Sequence, residues 1–547
     1  MRSTIALVAL MTAVAAPAQE RNAPPEKSPA ATKQANTHQE AMIADAESAW
    51  VKPPVDEAAA VSHGAVTVGG QRIAYTATAG TLTIRDDSGK PTGSMFYTAY
   101  TRDGSAPSQR PVTFFYNGGP GSATVWLHMG SFAPVRVTTA NPEYIRPAPY
   151  GFGANPQSLI DKTDLVFVDA MGAGWSRPLG AKTGKDFWGV DQDADAFART
   201  VQRYVTRNAR WSSPKFLFGE SYGTLRNGAV AALLEERGLS LNGIVYLSSI
   251  MNYGVRQPGY DANYLTLLPG YAATAWYHNH LQNRPADLET FLRDVRAFTS
   301  GPYAAALAKG STISPEEKQA IAQQMSNFIG ISPDYIMRAN LRIDLGHFQT
   351  ELLRDRRLSV GRLDSRYTLI PADANAERPD DDPASTAISG AFIANFMDYA
   401  KKTLGYQTEM PYKVSAREPG FDWDWKHKAP DSNFTQNNPN TAIDLAATMR
   451  TNPYLKVLFL NGYFDMATPF YGTEFDVNHM LLEPSLQRNI AFKYYQSGHM
   501  VYLNPAELAK MHADLAAWYD ETLAEARSAS PPARPGARTG QAGRGPN

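Results

Sequence analysis

The chain changes its hydrophobic rhythm twice. From about residue 64 to 117 apolar and polar positions alternate in "AVTV", "QRIAYTATAGTLTIR" and "GSMFYTAYTRD", with Gly-Gly and Asp-Asp-Ser-Gly between them. Alternation broken by turn residues predicts antiparallel strands. Short, almost continuous apolar runs then follow: "PVTFFY" (111–116), "DLVFVD" (164–169), "KFLFG" (215–219), "GIVYLSS" (243–249), and much later "LKVLFLNG" (455–462) and "NIAFKYY" (489–495). Such runs suit parallel strands covered on both faces. Between two of them, Phe197, Val201, Tyr204 and Val205 recur at helical spacing behind an Asp-rich start that can cap a helix. Strands alternating with helices predict an α/β architecture with right-handed crossovers.

From about 255 to 440 the rhythm is helical, in "DLETFLRDVRAF", "SPEEKQAIAQQMSNFI" and "ASTAISGAFIANFMDYAKKTL". This stretch separates the earlier core strands from the last two, as an insertion forming a lid would; a separate helical domain fits the same pattern. The expected organisation is therefore a leader (1–18), a flexible segment (19–60), a first core part (61–255), a helical insertion or lid (256–440), a second core part (441–527) and a flexible tail (528–547).

The leader has Arg2, the apolar run Ile5 to Ala16, and Ala16-Pro17-Ala18 before Gln19, the pattern of a cleaved secretory signal. An exported protein, periplasmic or secreted, is expected. Segments 19–60 and 528–547 are rich in Ala, Pro, Gly and charge and poor in large apolar groups, so they bury too little to offset their ordering entropy.

Composition narrows the chemistry. Lys and Arg number 52 against 53 Asp and Glu, a formal charge of −1, which leaves no global field for nucleic acid or an anionic membrane. The chain has no cysteine, so thiolate nucleophiles, disulfides and cysteine-ligated zinc are all excluded. Covalent catalysis would have to use oxygen or nitrogen. No cofactor and no metal are expected: His278 and His280 lack a third ligand, and "DQDAD" (191–195) lacks the glycine and terminal glutamate of a calcium loop and reads as a helix cap.

One stretch carries chemistry directly. "KFLFGESYG" runs from a strand into Gly219-Glu220-Ser221-Tyr222-Gly223 and then into the helix-compatible "TLRNGAVAALLEE". A G-x-S-x-G turn between strand and helix presents its serine at a sharp elbow, where the glycines are needed because the backbone leaves no room for side chains. Ser221 would then require a base and an acid to orient that base, in the chain order serine, acid, histidine. Asp465, after "VLFLNGYF", and His499, after "AFKYYQSG", both follow strands at the carboxyl edge, where open α/β sheets place ligands. Upstream, Asn117-Gly118-Gly119-Pro120-Gly121 follows a strand and lets bare backbone approach a substrate. The Gly119 and Tyr222 amides are the candidate oxyanion-hole donors.

In order and separation, N-G-G-P-G-S, "DAMGAGWS" (169–176), G-E-S-Y-G, "NGYFD" and "SGHM" resemble the serine carboxypeptidases, members of the α/β-hydrolase fold, across about 95–520. The resemblance implies a catalytic triad of Ser221, Asp465 and His499 acting through an acyl-enzyme, and a peptide substrate with a free C-terminus. It also implies that Asn117, Gly118 and Glu220 hold the substrate's terminal carboxylate, Glu220 in its protonated form, since two adjacent carboxylates cannot both stay ionised. Several positions depart from the family pattern. Phe115 replaces a tryptophan, Ser122 a cysteine, and Ser131 a second glutamate, so Glu220 is expected to titrate nearer its ordinary value and a strongly acidic optimum is not implied. Arg226 reads as either positive charge near the subsite or a helix-surface residue, and "FDWDW" (421–425) as aromatic packing under the lid or a pocket lining. An esterase or acyltransferase using the same triad, or a non-catalytic binding protein on this scaffold, remain as other readings.

Overall fold

The computed structural model describes residues 57–257, 259–417 and 420–528. The expected leader, most of the segment before residue 60 and the tail beyond 528 lie outside the described residues. The chain enters the fold earlier than its composition suggests. Glu57 is buried and accepts hydrogen bonds from Arg203 (2.6 Å), Arg207 (2.7 Å) and the Thr83 amide (2.9 Å), and the first strand starts at Ala59. A carboxylate paired with two guanidinium groups ties down a stretch too polar to be recognised as part of a core.

A large mixed sheet organises the molecule. Its strands are β1 (Ala59–Val68), β2 (Gln71–Arg85), β3 (Pro91–Arg102), β4 (Val112–Tyr116), β5 (Asp164–Val168), β6 (Lys215–Glu220), β7 (Gly243–Leu247), β8 (Lys456–Gly462) and β9 (Ile490–Tyr495). They lie side by side in the order β1-β2-β3-β5-β4-β6-β7-β8-β9. Strands β1, β2 and β3 pair antiparallel, β3 meets β5 antiparallel, and everything from β5 to β9 is parallel. This bears out the expected α/β-hydrolase class, a mostly parallel sheet with an antiparallel N-terminal part.

The apolar runs are continuous because both faces are covered. Alternate residues of each strand enter different cores: Phe115, Phe167, Phe218, Val245 and Leu460 on one side, Phe114, Val166, Leu217, Ile244 and Phe459 on the other. The second side is closed by α2 (Val190–Arg207), α3 (Tyr222–Glu236) and α8 (Ala442–Thr451), the first by α1 (Val125–Gly130), α7 (Pro383–Lys402) and α9 (Pro505–Ser528).

The segment between β7 and β8 divides in two. Helices α4 (Asp261–Tyr277), α5 (Leu288–Phe298) and α6 (Pro315–Ile329) gather an apolar cluster of their own, which continues into Tyr463, Phe464 and Phe470 beyond β8. Their ends follow local rules: Asp287 caps α5, and α6 has Ser314 as cap, Pro315 in its first turn and left-handed Gly330 after its end. Helix α7 instead packs into the sheet's core, its Phe392 ring 5.7 Å from Trp126 of α1. After it, residues 403–441 have little regular structure and lie against the loops that follow the core strands, bridging Ser415 to Ser122 and Lys413 to Gly174.

Candidate active site

Strand β6 is buried along its whole length and turns into α3 through Ser221, whose backbone sits at φ 62° and ψ −131°. A non-glycine residue in that region is strained, and such strain concentrates where function holds it. A side chain on Gly219 would collide with the Gly223 carbonyl, and one on Gly223 would come within 2.9 Å of the Tyr116 carbonyl. The expected need for two bare positions is met at both. The Ser221 amide donates to the Leu247 carbonyl of β7 (3.0 Å), fixing the elbow to the sheet.

Strands β6 to β9 run parallel, so the loops after β6, β8 and β9 leave the sheet at one edge. Asp465 and His499 are both buried there and meet directly, His499 Nδ1 lying 2.8 Å from Asp465 Oδ2. The carboxylate is fully engaged: Oδ1 accepts from the Ala467 and Thr468 amides (2.8 and 2.9 Å), and Oδ2 also accepts from the Thr468 hydroxyl (2.6 Å). The His499 backbone is pinned by its amide to the Leu363 carbonyl (2.6 Å) and by its carbonyl to the Ser248 hydroxyl (2.6 Å). Burial alone would push the imidazole down, but the Asp465 carboxylate and the nearby Glu220 outweigh it and hold the ring above its ordinary value. Ser221 is half-buried at the head of α3, and its hydroxyl makes no hydrogen bond among the described residues. Serine–imidazole bonds in unliganded sites are commonly long and tighten with substrate.

The glycine loop after β4 folds onto the same elbow. A Cβ on Gly118 would strike the Tyr222 and Gly223 amides, so only glycine allows this approach, and Gly119 has φ 107°. Tyr222 is the first residue of α3, where a helix N–H has no internal acceptor. Asn117 is buried among its partners. Its Oδ1 accepts from the Leu127 amide (3.0 Å), its amide group faces Glu220 and Tyr502, and its carbonyl accepts from Arg226 (2.8 Å).

Glu220 is 2% exposed, and Tyr502 donates to it at 3.0 Å. Burial raises its carboxyl to about 7, against the smaller lowering effects of His499, Tyr502 and Asn117. Even without a second glutamate, burial keeps the Glu220 carboxyl well above its ordinary value. Ser131 is buried, but its hydroxyl bonds its own helix at the Leu127 carbonyl (2.6 Å). Desolvation does what a second carboxylate would otherwise do. Tyr502 went unrecognised in the sequence, since it lies 282 positions from Glu220; its one signal is an aromatic three residues after His499.

Arg226 is no surface residue. It is 1% exposed, its Nε 2.6 Å from Asp193 Oδ2, and its guanidinium lies 4.1 Å from the centre of the Phe197 ring. It acts on the site by holding the Asn117 carbonyl. The "DQDAD" stretch is likewise more than a cap: Gly189 occupies the cap position, Asp191 and Asp193 sit in the first turn and pair with His427 and Arg226, and Asp195 beyond it pairs with Arg199. Of the "FDWDW" aromatics, Trp423 and Trp425 pack edge-on to Tyr222, with ring centres 5.3 and 6.2 Å away. Phe115, which stands where the family has a tryptophan, is stacked in the core between Phe167 and Phe218.

His427 is clamped between Asp191 (2.6 Å) and Asp444 (3.0 Å). Burial lowers its ring, but the two carboxylates dominate and raise it to about 9, from an ordinary 6.5. A raised value means the folded state binds the proton more tightly, so the stabilisation is complete below pH 6.5 and is lost as pH rises through about 9. Melting temperature followed over that range should fall more steeply in the wild type than in His427→Gln, which should be the less stable protein at pH 6.5.

An elbow serine on a mostly parallel sheet, with an aspartate–histidine pair after later strands, defines an α/β-hydrolase. The serine carboxypeptidase family model matches residues 70–280, which takes in Asn117 to Gly121 and Ser221, and this bears out the resemblance read from the motifs. Over that stretch the chain is similar to the serine carboxypeptidases. No curated protein matches it. Among solved structures it is similar to a prohormone-processing carboxypeptidase from Saccharomyces cerevisiae (13% identity, 82% of this chain and 91% of that one, TM-score 0.46). It is also similar to a proline iminopeptidase from Mycobacterium smegmatis (14%, 82% and 99%, 0.34) and a carboxyl esterase from Bacillus coagulans (11%, 81% and 98%, 0.34).

Proposed function

We propose that the protein is a serine-type carboxypeptidase that releases C-terminal residues from peptides. Ser221 Oγ attacks the last peptide carbonyl while His499 Nε2 takes its proton, with Asp465 holding Nδ1–H and so the tautomer. The tetrahedral oxygen is received by the Gly119 and Tyr222 amides. His499 then protonates the leaving amine, and water, activated by the same ring, hydrolyses the acyl-enzyme. The observation that carries the exopeptidase reading is Glu220: a buried carboxyl raised to about 7, next in the chain to Ser221 and bonded to Tyr502. Neutral at mildly acidic pH, it donates to the substrate's terminal carboxylate beside Asn117 and the Gly118 amide. A position that would repel an anion when charged attracts one when protonated.

No helix among the described residues is long and apolar enough to cross a membrane. With the leader motif this supports an exported enzyme acting on peptides outside the cytoplasm.

A peptide with a free C-terminus should lose its last residue at pH 6 at least ~10-fold faster than its C-terminal amide, the difference expected when one charge-assisted hydrogen bond is lost. Release is followed by mass spectrometry. Equal rates on both would remove the exopeptidase reading, and turnover of small esters alone would favour an esterase.

A further inference from the structure

Three arginines lie about this site: Arg362 and Arg417 are exposed and form no ion pair among the described residues, while the guanidinium of Arg256 is buried and faces the Asp476 carboxylate without a hydrogen bond to it. Arg362 is wedged between the two loops that carry the acid and the base: its carbonyl accepts from the Met466 amide (3.0 Å), next to Asp465, and the following carbonyl, of Leu363, accepts from the His499 amide (2.6 Å). Both amides of this pair donate to Asp382 Oδ2 (2.7 and 2.8 Å), so the backbone is held from both sides. Its side chain is exposed and forms no ion pair among the described residues. Arg417 reaches in from the irregular segment, and its Nη2 donates to the Gly119 carbonyl (3.1 Å), on the oxyanion loop itself; it too is exposed and without an ion pair among the described residues. Arg256 contacts the Ala467 carbonyl, two residues past Asp465, at 3.3 Å, and its Nε and Nη2 are buried with no hydrogen-bond partner among the described residues. The three charges act together on the Tyr253 phenol, whose ring packs 4.7 Å from Trp425 beside Tyr222. The whole chain is almost neutral, so this concentration of positive charge is local.

We infer that this rim is a second anion subsite, which selects an acidic side chain on a residue flanking the scissile bond. The inference rests on the peptidase reading above. Glu220, Asn117 and the Gly118 amide already provide for the main-chain carboxylate, so a further anion is left to the rim. Arg362 is carried by the backbone pair that bonds the His499 and Met466 amides, and Arg417 bonds the Gly119 loop; exposed guanidinium groups on these two loops can close on a carboxylate bidentately. Exposed ion pairs are individually weak, so two arginines acting together give a preference of about tenfold, decreasing with salt.

The test uses the full-length protein and matched peptides with free C-termini, carrying Glu or Gln at the last or at the penultimate position. At one of the two positions kcat/KM should favour Glu about tenfold, which also identifies the flanking residue that is read. The ratio should fall towards one in Arg362→Gln and Arg417→Gln, survive in Arg362→Lys, and shrink as sodium chloride is raised. Fluorophosphonate labelling of Ser221 in each variant establishes that the fold is intact. A wild-type ratio of one or less at both positions overturns the inference, as does a ratio unmoved by either glutamine variant. An equal loss on Glu and Gln peptides would mean that the arginines hold the main-chain terminus, and would overturn it too. If no free-ended peptide is cleaved, the peptidase reading fails by itself, and the Glu-against-Gln comparison on the corresponding acyl esters still decides the rim.

Discussion

Ser221→Gly is expected to abolish turnover while making the protein more stable. Removing the nucleophile of a serine triad lowers kcat on the order of 10⁴- to 10⁶-fold, the residue being catalysis from oxyanion donors and binding alone. The stability gain has a separate origin. Ser221 holds φ 62° in the finished fold, a conformation that costs a residue with a Cβ about 1–3 kcal/mol and glycine almost nothing. Part of that is offset by the greater freedom of glycine in the unfolded chain, leaving a net gain of about 1 kcal/mol. Ser221→Ala separates the two effects: it should be equally inactive, but with no rise in melting temperature, because its Cβ keeps the strain. Retention of peptide release by either variant would remove Ser221 from the mechanism.

That strain was implicit in the sequence, since G-x-S-x-G between an apolar strand and a helix has few other ways to fold. The sheet was legible for a related reason. Runs such as "VTFFY" and "DLVFV" have no polar face to turn to water, so they must be interior strands. Asp465 and His499 could be placed at strand ends from the same pattern, and the structure joins them by a direct bond. What stayed hidden depends on contacts between distant segments. Tyr502 reaches Glu220, and Arg417 reaches Gly119, only because of the path of segments that carry no periodicity. Arg226 leaves two readings open for a local reason: an arginine in a helix is ordinarily exposed. Yet every residue of α3 from Tyr222 to Ala231 is buried, and its sequence, "YGTLRNGAVA", offers no charged or amide side chain except Arg226 and Asn227 themselves. A helix start with no other charged side chain is the signal that its arginine is internal and paired.

Glu220→Gln is expected to remove the alkaline limb of activity on free-ended peptides. The wild-type carboxyl titrates at about 7, while the substrate's terminal carboxylate is ionised throughout the neutral range. Below that value Glu220 is a neutral donor; above it, two anions face each other, and KM should rise roughly tenfold per pH unit, about 100-fold by pH 9. His499, held above its ordinary value, sets the acid limb, because its neutral form is the base. The profile for free-ended peptides is thus a bell, and that for amides or esters should lack the falling alkaline side. Glutamine preserves a donor at every pH, so Glu220→Gln should show only the acid limb even on free-ended peptides, whereas Glu220→Ala should bind them poorly at all pH. Stability gives an independent reading of the same group. A folded-state value raised from 4.5 to about 7 makes the native state bind this proton more tightly, so stability is full below pH 4.5 and declines as pH rises through 7. At pH 8 Glu220→Gln should therefore melt above the wild type, and the difference should vanish by about pH 4.5. An alkaline limb that persists in Glu220→Gln would assign the titration to another group and leave the buried carboxyl without its proposed role.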